Sequence, residues 1–220
     1  MIDELVKSSK RVLEPHERLS EILFGLIMVL TFTGSLSVAT AERGNVRTML
    51  IGALGCNLAW GLIDGIFYLM ASLADKGRNL LTYRAVRSES DPKRAERLML
   101  NAMPAPLAAV AQSKELAVMH QRLKELPEPP ERASWSQTDW LGAMGVFLLV
   151  FLSTLPVALP FVFIQDLFWA KRVSNMIAIV MLFLTGYAYG RGIGRAPAGI
   201  GIGMVGLGTV LVAITIALGG

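Results

Sequence analysis

The sequence predicts an all-α protein: a polytopic membrane protein with five transmembrane helices and a cytosolic helical insertion between helices two and three. Three observations carry this. The 220 residues are 53% hydrophobic with a mean hydropathy of +0.52. Only 17% are charged, against roughly 25% in soluble domains. Finally, five charge-poor stretches reach the length of about 17–25 residues that a bilayer core of about 30 Å requires.

Those stretches are Ile22 to Ala41, Thr48 to Ala74, Trp140 to Gln165, Val173 to Gly190 and Ala196 to Gly220. Within them the only ionised side chain is Asp64. The expected segments are residues 1–20 as an amphipathic N-terminal helix and 21–74 as spans one and two. Residues 75–139 form the cytosolic helical part, and 140–220 hold spans three to five.

The N-terminal expectation rests on Ile2, Leu5, Val6, Ser9, Val12 and Leu13, which follow helical spacing until Pro15. Lys7, Lys10 and Arg11 would face headgroups. Some twenty charged, amphipathic residues precede span one, so it does not resemble a short cleavable signal segment. The tail of span one, TFTGSLSVAT, is rich in small residues that permit close helix contact. The short turn AERGNVR implies an antiparallel hairpin of spans one and two.

Span two is expected to continue as helix to about Arg87. Asp91-Pro92 fits an N-cap with proline at the first helical position, opening a helix through Ala102. Met103-Pro104 interrupts it, and a second helix is expected over about Leu107 to Leu126. Its apolar stripe is Leu116, Met119, Leu123 and Leu126. The stretch PEPPERAS is a semi-rigid proline linker, and Ser136-Gln-Thr-Asp139 fits a capping box opening span three. So short a segment cannot easily bury its own core, which suggests packing on itself, on the membrane face or on a second subunit.

Span three contains Pro156 and Pro160, one turn apart. Prolines break the backbone ladder, and two readings stand: a kink beside a pathway, or a packing bend. Span five holds Gly199, Gly201, Gly203, Gly206 and Gly208. Although Gly201 to Gly206 fits GxGxxG, it lacks the strand–turn–helix setting of a dinucleotide site, so close helix packing is the reading.

Seventeen Lys and Arg fall in residues 1–20, the long loop and the loop between spans four and five, against four in the other two connections. This places the N-terminus and the long loop in the cytosol and the C-terminus outside. The expected host is the cell (inner) membrane, with an organelle membrane left open. The net charge of +4 is then an orientation signal beside anionic lipid, with no nucleic-acid partner implied.

Several chemistries lack their residues. The single cysteine, Cys56, permits no disulfide framework and no cysteine-based zinc site. It reads as a small buried residue, or else as a soft metal ligand beside Asn57. His16 and His120 share no metal-ligand spacing, and His120 is expected on a helix surface. There is no GxSxG elbow and no P-loop, so no enzyme and no bound cofactor is expected.

The chemistry that remains centres on Asp64. An aspartate at bilayer depth costs about 2.5–3.5 kcal/mol on insertion scales, so such residues usually face a bundle interior, a water cavity or a transported cation. Asn57, Gly61, Asp64 and Tyr68 recur at helical spacing and share one face. Glu21 sits at the cytosolic mouth of span one, and Met28 lies seven residues on, on the same face. Oxygen donors with one thioether suit a first-row divalent cation better than Mg²⁺ or Ca²⁺. The expected metal set is Met28, Asn57 and Asp64, with Glu21 and Asp64 also carrying protons. The alternative for Asp64 is a hydrogen bond to a neighbouring helix.

With these residues in view, the chain resembles the vacuolar iron transporter family. Arg18-Leu-Ser-Glu21-Ile-Leu-Phe-Gly25 is similar to that family's opening Arg-Ile-Ser-Glu-Ile-Val-Phe-Gly. Gly142 to Phe163 looks like its third span. FLTGYAYGRGIGR, the glycine-rich fifth helix and the terminal Leu-Gly-Gly look like its last two. The likeness covers roughly residues 18–75 and 139–220. It implies five spans around a cytosolic helical insertion, a homodimer, export of iron or a manganese-like metal, and a role for Glu21.

This chain also departs from the pattern. Ile27-Met28-Val29 stands where the family has Asn-Asp-Gly, so the span-one metal aspartate is missing. Asp64 falls at or beside the family's span-two methionine, which would make a ligand swap between the spans. The span-two glutamate is unmatched near Gly55 or Cys56. Glu96, Glu115 and Glu125 are scattered among bases, so the family's glutamate-rich metal store is not expected. A membrane scaffold or regulatory protein that kept the fold without transporting is the alternative.

Overall fold

The computed structural model describes residues 13, 15–39 and 46–217. The expected helix over residues 1–13, the turn from Ala41 to Arg47 and the terminal Gly219-Gly220 fall largely or wholly outside them. Nine helices are described: α1 (Pro15–Ala39), α2 (Val46–Ser88), α3 (Pro92–Ala102), α4 (Ala105–Val110) and α5 (Ser113–Glu125), then α6 (Gln137–Ala158), α7 (Pro160–Phe163), α8 (Leu167–Gly192) and α9 (Pro197–Ala217). No strand occurs among the described residues. Among the described residues, four helical stretches are long and apolar enough to cross a membrane: Leu50–Ser88, Gln137–Ala158, Phe168–Gly192 and Pro197–Ile214. The helix α1 that precedes them has 25 residues.

The described residues form two compact units, one over Leu69–Gln137 and the other over the chain up to Tyr68 and from Thr138 onward.

In the larger unit the core gathers on α1. Leu23, Leu26, Val29 and Leu30 pack with Val157 of α6 and with Ala178 and Leu182 of α8, and Met204 and Val212 of α9 close over them. Small residues set how closely the helices approach. A Cβ added at Gly25 would stand 2.9 Å from the Val150 carbonyl oxygen, and one at Gly65 would stand 3.2 Å from that of Ala143. One at Gly186 would stand 3.1 Å from the Cα of Gly201. Of the glycines of the last helix, Gly201 and Gly208 pack on Phe183 and Leu182 of α8, whereas a Cβ at Gly203 or Gly206 would meet nothing within 4 Å, so close packing accounts for only part of the glycine run. Leu62, Ile66, Phe67 and Met70 on α2, and Ile202, Val210 and Ile214 on α9, are exposed. Such a density of outward apolar side chains suits hydrocarbon, not water.

Two helix ends show how the chain turns. Gly194 has φ +69°, a left-handed conformation that few other residues adopt. It lets Arg195 N–H reach back to the Gly190 carbonyl at 3.0 Å, and α8 stops at Gly192, five residues before Pro197 opens α9. At the prolines, α6 runs through Pro156 and ends at Ala158, and Pro160 starts the single turn α7. A proline offers no N–H, so carbonyls are freed around this break. The buried Ser174 hydroxyl of α8 donates to the Val157 carbonyl at 2.7 Å. The break is therefore anchored by a side chain from the neighbouring helix.

The smaller unit builds a core of its own. Val86 at the end of α2, Met99 of α3 and Leu116 of α5 are buried together, with Met103, Ala111 and Leu123 packed around them. Met119 is exposed and does not join the expected stripe. Asp91 caps α3 as expected, its carboxylate accepting from Lys93 N–H at 3.0 Å. The single helix expected from Leu107 to Leu126 is instead two. Gln112 and Glu115 form a reciprocal capping box that starts α5 afresh, and Gln112 N–H donates to the Glu115 carboxylate at 3.2 Å.

The proline-rich segment after α5 is bound along α2 by main-chain carbonyls. Arg87 donates to Pro127 O at 2.8 Å, Arg84 to Pro130 O, and Lys76 to Ser134 O at 3.3 Å and Ser136 Oγ at 3.2 Å. In the reverse sense, Trp135 Nε1 donates to Leu69 O at 3.0 Å. The donors on α2 descend as the strap ascends, so the two run antiparallel. His120, expected on a helix surface, is partly buried instead, its Nε2 2.8 Å from the Val86 carbonyl oxygen.

Candidate functional site

The site is built on the face of α2 that carries Asn57, Gly61, Asp64 and Tyr68. Because α2 is unbroken over these residues, their spacing does bring them onto one side. That side meets α6. A Cβ at Gly61 would stand 3.0 Å from the Phe147 ring, and the Tyr68 ring lies on Gly142. Next to Gly61, the Trp60 ring stands edge-on to Phe24 of α1, with centroids 6.0 Å apart.

Asn57 is only 1% exposed, and neither its Nδ2 nor its Oδ1 has a hydrogen-bond partner among the described residues. The Asp64 Oδ2 atom is also buried and unpartnered. Leaving a buried donor or acceptor unsatisfied costs about 1–3 kcal/mol each. Most buried polar atoms in native proteins are paired, so three orphans on one face are unusual.

Glu21 on α1 lies within electrostatic reach of Asp64 and of Glu17. Tyr68 is likewise reached by Glu17 and by Asp139 at the start of α6, which is only 4% exposed. Three helices therefore bring acidic groups to one region: Glu17 and Glu21 from α1, Asp64 from α2, and Asp139 from α6. Of the residues named from the sequence, Glu21, Asn57 and Asp64 belong to this constellation. Met28 is half-buried two turns beyond Glu21 on α1. Among the described residues, no three His, Cys, Asp or Glu side chains converge as a metal-holding group.

No protein-family model and no curated protein matches this chain.

Two acids were missed from sequence. Asp139 reads there as a helix cap, and its burial beside Tyr68 depends on packing between helices. Glu17 carried one usable signal: it lies one turn before Glu21, on the same face of α1.

The arrangement favours positive charge. Carboxylates at this depth repel one another unless a proton or cation intervenes. A buried amide with both atoms free can orient its oxygen to an ion or its nitrogen to a carboxylate.

Proposed function

We propose that this protein is a membrane transporter that exports a divalent transition metal, iron or manganese-like, from the cytosol in exchange for protons. The observation that carries the reading is the set of orphaned polar atoms on Asn57 and Asp64, with Asp64 within electrostatic reach of Glu21. Asn57, Asp64 and Met28 are the proposed metal contacts, while Glu21 and Asp64 take up protons when the metal leaves. The resemblance to the vacuolar iron transporter family supports this reading, as does the absence from the sequence of any motif for ATP-driven transport. In this proposal α1 is a fifth span, the N-terminus and residues 75–139 are cytosolic, and the C-terminus is external. A homodimer doubles the polar lining that five spans offer.

A second reading has its own support. No three His, Cys, Asp or Glu side chains form a metal-holding group among the described residues, which suits a non-transporting scaffold or regulatory protein. The deciding experiment is uptake of a panel of cations into proteoliposomes by wild type and Asp64→Asn. Transport reading: the wild type moves a divalent transition metal and Asp64→Asn does not, although both insert. If the wild type moves no cation, or Asp64→Asn transports normally, the scaffold reading replaces it. Cysteine labelling from each side tests the topology, with external labelling between residues 110 and 125 overturning it. Crosslinking of single cysteines along α1 and α2 tests the dimer.

A further inference from the structure

Where α1, α6 and α8 meet, a groove of about 560 Å³ opens on the side of the larger unit. Its walls include Ile22 from α1, Leu141, Gly145 and Leu148 from α6, and Met181 from α8. Arg18 is the only ionisable group among the described residues that line it. None of those residues comes from α2.

Three features make the groove directional. The lining on α6 runs from Leu141 to Ser153, a rise of about 18 Å along the helix. That is close to half of a hydrocarbon core of about 30 Å, the depth of one leaflet. Arg18 lies in the first turn of α1, before the charge-free run that begins at Ile22, where a long basic side chain reaches headgroups. Its Nε donates to the Leu13 carbonyl at 3.2 Å, which fixes the guanidinium beside Leu13, another lining residue.

The interior is apolar and has room because of one small residue. A Cβ at Gly145 would stand 3.1 Å from Leu13 Cδ1, so larger side chains there would crowd the channel. The hydroxyl of Ser153, the other polar group in the lining, is bonded to the Val150 carbonyl at 2.9 Å and offers little to a ligand. Glu17 and Glu21 fall on the adjacent face of α1, about 100° round the helix from Arg18 and Ile22.

We propose that this groove is a binding site for an anionic phospholipid, one acyl chain lying along α6 and the headgroup phosphate paired with Arg18. A guanidinium fork matches phosphate in two-point geometry, which a zwitterionic lipid's neighbouring cation opposes. The inference rests on the chain lying in a bilayer and not on its transporting a metal.

The test is native mass spectrometry of the full chain in mild detergent, titrated with phosphatidylglycerol or phosphatidylcholine, with inorganic phosphate as competitor. Wild type should hold one phosphatidylglycerol per chain about fivefold more tightly than phosphatidylcholine. Arg18→Gln should bind the two lipids equally, and Gly145→Leu should lose both. Leu148→Trp fills the groove from its exposed rim, so it keeps the test open if Gly145→Leu does not fold. Inorganic phosphate should not displace the lipid. Unchanged preference in Arg18→Gln, unchanged retention in the groove-filling variants, or displacement by phosphate alone would each overturn the proposal.

Discussion

The phenol ring of Tyr68 on α2 lies on Gly142 of α6, in the space where any other residue would carry its Cβ. The contact joins the polar face of α2 to the helix that presents Asp139, one turn before Gly142. It makes the placement of Tyr68 dependent on a residue with no side chain.

Gly142→Ala should therefore act through Tyr68. The ring end can swing away, so the expected loss is about 1–3 kcal/mol, the usual range for overpacking. Tyr68→Ala should relieve it, and the double variant should be less destabilised than the sum of the two single changes. Thermal unfolding of all four proteins in one detergent gives the cycle. Simple additivity would show that the crowding is absorbed elsewhere.

Asn57→Leu should stabilise the protein. Leucine fills much the same volume and removes two orphaned polar atoms whose burial costs about 1–3 kcal/mol each. A rise in melting temperature, together with loss of cation movement in proteoliposomes, would mark Asn57 as a group kept for function at the expense of stability. A lower melting temperature would mean that the amide has a partner in the bilayer.

Ser174→Ala should cost about 1–3 kcal/mol, because it leaves the Val157 carbonyl without its donor beside two prolines. Ser174→Thr keeps the hydroxyl and should recover much of that loss where its extra methyl is tolerated. The comparison by thermal unfolding separates the hydrogen bond from the packing. Equal stability of wild type and Ser174→Ala would show that the break needs no anchor.

Trp135→Phe and Lys76→Met remove donors that hold the strap to α2. Hydrogen exchange should rise in the strap residues that carry an N–H, while exchange in α8 and α9 stays as in wild type. Local opening of this kind is separable from global unfolding. An increase spread over the whole chain would contradict it.

The helices and their apolar runs were legible because their causes are local: Asp91 and Pro92 lie next to the helix they start. The Asn57–Asp64–Tyr68 face was legible because helical period alone aligns it. The break at Ala111 and Gln112 was not, since good helix formers run through it. There the capping pair Gln112–Glu115 and the burial of Ala111 and Leu116 around Val86 outweigh propensity. The burial of Asp139 and the contact of His120 were not legible for a related reason. The cap motif around Asp139 says nothing of Tyr68, and the carbonyl that meets His120 belongs to a residue 34 positions away.

Arg84, Arg87 and Lys76 grip the strap by its peptide oxygens, which every amino acid possesses. Selection on this segment therefore acts on spacing more than on letters. Apart from Trp135 and Ser136, whose own side chains bond to α2, its side chains are free to drift between related proteins, whereas gaining or losing one residue would slide every carbonyl past its donor. An alignment scored by residue identity would rate the segment as unconstrained, and the constraint would show only as a fixed length.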